Sequence, residues 1–171
     1  FRTFLAEGHD GLRATLADWN HHLTTVFPDV RVKRVIEVRG ADSGPADLVC
    51  SVPALWKGLL YDAEARAAGF ALTSGWSAEQ REAAYREVAR AGLAAETNGR
   101  KVLDLAKELL AIARAGLARL ASRTRSPDER ELLEPVARQL ALGKSPGQVV
   151  LEQWEGPLER SPDRLIRSTR Y

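Results

Sequence analysis

Four charged residues suited to an anionic substrate lie close together between residues 30 and 39. Arg31, Lys33 and Arg39 supply positive charge, and Glu37 supplies a carboxylate. Mg²⁺ is held in proteins by one or two carboxylates together with substrate phosphates. A guanidinium group matches the geometry of phosphate oxygens. These residue types predict a site at which Glu37 binds a divalent cation and an arginine binds phosphate.

The alternation of charged and apolar residues predicts the element that positions this site. The even-numbered apolar residues are Val30, Val32, Ile36 and Val38, whereas the charged residues are odd-numbered. Successive side chains of a strand point to opposite faces, so we expect one strand with a buried apolar face and a charged face. Arg34 breaks the pattern and indicates a bulge or an uncovered edge. A solvated sheet face would give the same alternation without any chemistry.

Composition limits the classes of protein to consider. The 171 residues suffice for one domain with a hydrophobic core. A net charge of +2 does not favour nucleic acid. Without a long apolar run or a visible signal peptide, we expect no membrane partner and a cytoplasmic location. The single cysteine, Cys50, fits a reducing compartment, and the absence of methionine indicates a fragment of a longer protein.

Most of the chain outside this strand carries helix signals. Residues that can begin or cap helices are Thr15, Ser51, Asp62, Ser77, Ser126, Ser145 and Ser161. An apolar stripe predicts the clearest helix over residues 101–121. Pro135 is expected to kink or divide a helix, and residues 1–14 are expected to form an entry strand or loop. One strand cannot form a sheet alone, so its neighbours must come from the N-terminal residues, a second copy of the chain or sequence upstream of Phe1.

Several ordered blocks resemble the glutamate–cysteine ligases of the plant and proteobacterial type. They are a Trp before HLTT, then FPDVR, then the EVRGAD strand end, then PALWKGLLYD. Weaker similarity continues through LDLAKELLAIARAGL and SPGQVVLEQWEG, so it covers most of the chain. The sequence contains no P-loop, no GxGxxG motif with a following acidic residue, and no Cys/His cluster with zinc spacing.

The resemblance implies an α+β fold. The chain would be a mostly helical fragment with one or two antiparallel strands, the C-terminal part of a catalytic fold similar to that of glutamine synthetases. We expect a single domain over residues 1–171, with the strand and active-site segment in residues 1–50 and a helical layer in residues 51–171. The partner would be the remainder of the ligase chain upstream of Phe1.

The resemblance also implies an enzyme that uses ATP and Mg²⁺ to join the γ-carboxylate of glutamate to the amine of cysteine through a γ-glutamyl phosphate. The product would enter glutathione or ergothioneine synthesis. Glu37 would be a catalytic residue and metal ligand, and Arg39 a catalytic residue that contacts phosphate. The further substrate- or nucleotide-binding residues would be Arg31, Lys33, Asp42 and His22. The family's other metal carboxylates have no counterpart here, so we expect the chain alone to be inactive or nearly so.

Two other functions fit parts of the sequence. A non-catalytic helical interaction module would use the charged strand to extend a partner's sheet, and it would tolerate neutralisation of Glu37. A nucleic-acid-binding domain would use Arg31, Lys33, Arg34 and Arg39, and its affinity would fall steeply with salt. Neither function explains the ordered blocks.

Overall fold

A computed structural model describes residues 1–32, 34–41, 44–125 and 127–170. The chain forms two compact units, Phe1–Asp42 and Ser43–Tyr171, each of which is considered by itself. About 67% of the chain is helical, and two small antiparallel sheets contain two strands each. The predicted α+β class is therefore confirmed. Among the described residues, no helix has the length and apolarity to span a bilayer.

The first unit consists of two helices followed by a β-hairpin. Its elements are α1 (Arg2–Glu7), α2 (Leu16–Thr25), β1 (Val30–Val32) and β2 (Ile36–Val38). Thr15 and Asp18 cap α2 reciprocally, because each side chain accepts the backbone N–H of the other. This confirms Thr15 as a helix cap. The expectation of an entry strand or loop was wrong for residues 2–7, which form α1.

The predicted single strand over residues 30–39 is in fact a hairpin. β1 and β2 pair antiparallel, and the register places Arg31 opposite Glu37. Arg34 and Val35 lie in the bend between the strands instead of in a bulge. The register pairs residues of the same parity, so a hairpin shows the same alternation as one continuous strand. The sequence pattern alone could not distinguish the two.

The apolar face of the hairpin is not buried, contrary to the prediction. Val32 is 76% exposed and Ile36 is 64% exposed. The side chains of Arg31, Glu37 and Arg39 are only about 38%, 39% and 27% exposed. The charged side chains shield one another from solvent. Among the described residues of this unit, nothing shields the apolar face with Val32 and Ile36 to a comparable extent.

The second unit is helical apart from one short hairpin. Its helices are α3 (Ala46–Leu60), α4 (Ala63–Ala71), α5 (Ala78–Ala91), α6 (Val102–Thr124), α7 (Glu134–Leu142), α8 (Pro146–Glu155) and α9 (Pro162–Ser168). The hairpin pairs β3 (Glu96–Thr97) with β4 (Arg100–Lys101). Short 3₁₀ helices cover Gly92–Ala94 and Glu129–Leu133.

Several helix predictions for this unit are confirmed. Ser77 and Ser145 each form a capping box at the start of α5 and α8. Pro135 lies in the first turn of α7 and separates it from the preceding 3₁₀ helix. The predicted start of α3 at Ser51 was wrong, because the helix begins directly after Pro45 and continues through Pro53. The prediction at Ser126 lies outside the described residues.

The core of the second unit forms where α3 crosses α6. A β-carbon placed on Gly116 would lie 2.0 Å from the carbonyl oxygen of Gly58, and one on Gly58 would lie 2.3 Å from the carbonyl oxygen of Ala113. The two backbones therefore touch without intervening side chains. The buried apolar residues around this crossing are Ala54, Leu59, Leu110, Ala113, Leu117, Leu120, Leu133 and Leu140.

A buried carboxylate links the start of α4 to α6. Asp62 is 2% exposed, and its Oδ1 accepts hydrogen bonds from Nε and Nη2 of Arg119 at 3.0 and 2.7 Å and from the Ala65 backbone at 2.9 Å. The bonds from Arg119, followed by the bond from Ala65, lower the pKa of Asp62 to about 2. Arg123 lies 3.6 Å from the other carboxylate oxygen. Asp62 is thus both a helix cap and a neutralised buried charge.

Gly116→Ala should destabilise the second unit. Alanine normally favours a helix over glycine by about 1 kcal/mol, but overpacking typically costs about 1–3 kcal/mol. The clash here is with a backbone carbonyl, so we expect the cost to exceed the gain. Urea denaturation followed by tryptophan fluorescence measures the change. Gly75→Ala is the control, because a β-carbon there meets nothing within 4 Å. Equal stability of the two variants would contradict the close crossing.

Asp62→Asn should reduce the free energy of unfolding by about 1.5–3 kcal/mol, the range for hydrogen bonds to charged groups. The folded pKa lies below the ordinary value of 3.8, so the carboxylate stabilises the fold above that pH and loses this effect between about pH 4 and pH 2. The variant should lack this acid-dependent component in denaturation curves recorded across that range. Glu64→Gln is the control, since Glu64 faces the same Arg119 at 3.6 Å but is exposed. Parallel acid profiles for wild type and Asp62→Asn would refute this role.

Candidate functional site

The hairpin of the first unit brings Arg31 and Glu37 together across its two strands. Nε and Nη2 of Arg31 both donate to Oε2 of Glu37, at 2.9 and 2.6 Å. The two residues are register partners, so their side chains leave the same face of the hairpin. The sequence predicted that these residues share a face, and the structure confirms that they are in contact.

Arg39 completes the cluster from the end of β2. Its Nε lies 3.4 Å from Oε1 of Glu37, and its backbone N–H donates to the Asp29 carbonyl at 2.8 Å. Its guanidinium carbon lies 5.2 Å from the centre of the Phe27 ring. Within the described part of the chain, Nη1 of Arg39 is buried and has no hydrogen-bond partner. An unsatisfied buried donor requires an explanation, and a ligand oxygen is one.

His22 lies on α2, in an aromatic cluster. Its ring stacks on Phe1 with 4.9 Å between centroids and 18° between planes, and Trp19 lies 5.8 Å away. His22 is half-buried. Its role in binding substrate or nucleotide stays a prediction.

Two predicted site residues, Lys33 and Asp42, lie outside the described residues. Their roles therefore stay predictions. In the parts of the chain that the structure describes, no three His, Cys, Asp or Glu side chains form a group that could hold a metal ion. Glu37 supplies one carboxylate, so any metal site would need oxygen ligands from elsewhere.

Sequence reasoning missed Phe27. The ring is 74% exposed, and it lies between α2 and β1, directly before Pro28. A Phe-Pro pair at a helix-to-strand connection marks a turn with a fixed backbone, which was a usable signal. The contact with Arg39 depends on the hairpin, which brings residues 27 and 39 together.

The second unit contains an apolar groove of about 540 Å³ between α3, α4 and α6. Trp56, Leu59, Leu105 and Leu109 line it, and its lining residues include no carboxylate. Among the described residues, Arg66 is the one charged residue that lines this groove, which therefore offers no carboxylate to a metal ion. The charged cluster on the first unit's hairpin is the better candidate for a catalytic site.

Comparisons with known proteins identify the family of the chain. The family model for glutamate–cysteine ligase family 2 matches residues 4–163. The chain is 40% identical over 157 residues to glutamate–cysteine ligase A, chloroplastic, of Oryza sativa subsp. indica. This alignment covers 92% of this chain and 31% of the rice protein. It is 37% and 36% identical over 174 residues to the chloroplastic glutamate–cysteine ligases of Medicago truncatula and Arabidopsis thaliana.

Those two alignments cover all of this chain and 33% and 32% of the respective ligases. The chain therefore spans about a third of the length of the curated relatives it matches. The match to the family model begins within α1, includes all of α2 and the hairpin of the first unit, and continues into α9. On this basis, the chain belongs to glutamate–cysteine ligase family 2.

Proposed function

We propose that this chain is part of an ATP-dependent ligase that joins the γ-carboxylate of glutamate to the amine of cysteine. Membership of the family supports the proposal, as do relatives named glutamate–cysteine ligase. The observation that carries it is the hairpin cluster, in which Glu37 lies between Arg31 and Arg39 and a buried N–H of Arg39 lacks an acceptor. Cations held in this way are what phosphoryl transfer needs.

The proposed reaction has two steps. A γ-carboxylate oxygen of glutamate attacks the γ-phosphorus of ATP, the bond to the β-phosphate oxygen breaks, and ADP leaves. The cysteine amine then attacks the acyl carbon of γ-glutamyl phosphate, the carbon–oxygen bond to phosphate breaks, and the amine loses a proton. Positioning and charge neutralisation dominate such catalysis. The dipeptide is the first product of glutathione synthesis, or its counterpart in ergothioneine synthesis.

Arg39 donates its Nη1 N–H to a phosphate oxygen of ATP in this proposal. That oxygen provides the acceptor that Nη1 lacks among the described residues. About a quarter of the Arg39 side chain is exposed, whereas Nη1 itself is buried, so the phosphate oxygen reaches Nη1 only when the groups that cover it move aside. Arg31 adds positive potential on the same side of the hairpin, and Lys33 is proposed from the sequence to add to it.

Glu37 fits Mg²⁺ as one of several ligands. A partly exposed carboxylate is a donor that Mg²⁺ accepts, and such sites take their other oxygens from phosphates and water. Bound there, Mg²⁺ would neutralise phosphate charge. Glu37 also orients both arginines, so it serves the metal and the phosphate contacts together. His22 and Asp42 are proposed as positioning residues near the substrate, and the cytoplasm as the location.

The remainder of the ligase is the proposed partner of the first unit. Apolar residues of this unit that are largely exposed include Leu16, Phe27, Val32, Val35 and Ile36. Val32 and Ile36 are paired on the hairpin, and a contiguous exposed apolar patch marks an interaction site. The relatives are about three times as long as this chain, so a ligase of their length would have ample sequence to cover it and to supply further metal ligands.

The same exposed hairpin also favours the second candidate, a non-catalytic module that adds its strands to a partner's sheet. Among the described residues, β1 and β2 pair only with each other. Their outer edges are therefore free to pair with a strand of a partner protein. Glu37 discriminates the two candidates, because sheet addition uses backbone groups and does not need its charge.

Glu37→Gln, introduced into the full reading frame that contains this chain, should lower glutamate- and cysteine-dependent ADP release by about 10²- to 10³-fold, the usual effect of removing one preorganised electrostatic group. The Mg²⁺ concentration for half-maximal rate should rise. Glu82→Gln is the control, because Glu82 pairs with Arg86 on the surface of α5. An unchanged rate and an unchanged Mg²⁺ dependence in Glu37→Gln would refute the ligase site and favour the interaction module.

The 171-residue chain by itself should release ADP from ATP at a negligible rate. One carboxylate binds Mg²⁺ weakly, and among the described residues no group of three His, Cys, Asp or Glu side chains forms that could hold the ion. The measurement is a coupled ADP assay with glutamate and cysteine, with the full-length ligase as the positive control. Turnover by the short chain within the ordinary enzyme range of about 1–10³ s⁻¹ would overturn the proposal that other parts complete the site.

A further inference from the structure

Phe27 contacts the most important proposed phosphate ligand but has no assigned role. Its ring centre lies 5.2 Å from the guanidinium carbon of Arg39. This distance is within the range of a cation–π interaction, in which the negative face of an aromatic ring attracts a cation. A large aromatic side chain that is mostly exposed gains little from burial, so its contact with Arg39 is the feature to explain.

The backbone holds both residues in place. Phe27 precedes Pro28, which restricts Phe27 to extended conformations. The backbone N–H of Arg39 donates to the Asp29 carbonyl at 2.8 Å, which ties the end of β2 to the segment that carries Phe27. The ring and the guanidinium are therefore brought together by local restraints on each side.

Each surface of the Arg39 guanidinium has a different neighbour. Its Nε edge approaches Glu37 at 3.4 Å, and its carbon lies over the Phe27 ring. In the described part of the chain, Nη1 has no partner. An aromatic ring supports a guanidinium without accepting its N–H groups and without cancelling its charge. A second carboxylate in the place of Phe27 would hold Arg39 but would reduce its attraction for phosphate.

We propose that Phe27 is a positioning residue for Arg39. It holds the guanidinium in the orientation from which Arg39 binds a phosphate group of the nucleotide. This inference rests on the proposed function of Arg39 and adds a residue that sets the nucleotide affinity of the site. The aromatic ring itself does not contact the reacting atoms.

The test compares Phe27→Leu and Phe27→Trp in the full-length ligase. Calorimetric titration with a non-hydrolysable ATP analogue and Mg²⁺ measures the dissociation constant. Phe27→Leu keeps an apolar side chain but loses the ring face, so we expect the dissociation constant to rise about 2- to 5-fold, the equivalent of an exposed cation–π contact. Phe27→Trp should restore the affinity. The KM for ATP should follow the same order, while the KM for cysteine stays unchanged.

Phe70→Leu is the matched control, because Phe70 is exposed to a similar extent in α4 and should not affect nucleotide binding. Arg39→Gln distinguishes failure of the proposed phosphate-binding function of Arg39 from failure of the proposed positioning role of Phe27. If Arg39→Gln leaves the dissociation constant unchanged, the proposed function of Arg39 is wrong. If Arg39→Gln weakens binding but Phe27→Leu behaves like Phe70→Leu, the inference about Phe27 is overturned and the proposed function stands.

A double-mutant cycle distinguishes positioning from a general structural effect. Phe27→Leu should have no further effect on analogue binding in the Arg39→Gln background, because the two residues act through one contact. An equal loss in both backgrounds would overturn the inference. A second readout needs no nucleotide: in NMR spectra of the 171-residue chain, the Arg39 Hε resonance should lose its aromatic ring-current shift in Phe27→Leu and keep one in Phe27→Trp. No change in that resonance would also overturn it.

Discussion

A carboxylate between two guanidinium groups controls the geometry of the candidate site. Arg31 and Arg39 lie on one side of a hairpin with strands of only three residues, and Glu37 approaches both of them. Without Glu37, the positive charges of Arg31 and Arg39 would repel each other across this short hairpin. Cross-strand pairs contribute about 0.2–1 kcal/mol, and partial exposure reduces this further. Orientation of the arginines is therefore a more important consequence of the cluster than stability.

The two units differ in how their residues are packed. In the second unit, the direct approach of α3 and α6 at Gly58 and Gly116 allows their flanking leucines to form a core. In the first unit, no residue of α1 or α2, both fully described, is completely buried. The charged cluster thus lies on the part of the chain with the weaker packing. This distribution agrees with the proposal that a longer ligase covers the first unit.

The contacts of Arg39 suggest how the site balances its charges. A cation that is to bind phosphate must be held without being neutralised on every side. Glu37 approaches one edge of Arg39, and the Phe27 ring supports its face. Asp62 shows the contrasting arrangement in the second unit, where Arg119 and a backbone N–H satisfy a buried carboxylate. Asp62 therefore stabilises the fold of the second unit, whereas the contacts of Arg39 leave one N–H donor without an acceptor among the described residues.

Local signals in the sequence determined many helix boundaries and the identity of the charged cluster. Capping boxes at Thr15, Ser77 and Ser145 depend on residues three apart, so they were predictable. The alternation of residues 30–39 correctly placed Arg31 and Glu37 on one face. The Asn98-Gly99 pair, with φ of 49° and 73°, is a strong hairpin signal that was overlooked between β3 and β4.

Other features depended on contacts between residues far apart in the chain. Alternation has the same appearance in one strand and in a hairpin, so only strand pairing decided that Arg31 lies opposite Glu37. Burial of the apolar face depends on what packs against it, which periodicity does not encode. The Phe27–Arg39 contact requires the chain to reverse between β1 and β2. The sequence by itself determined which groups are available for chemistry, because residue type and local spacing are properties of the chain. Only the tertiary structure decided which of them meet, because distances between remote residues are set by how the chain folds back on itself.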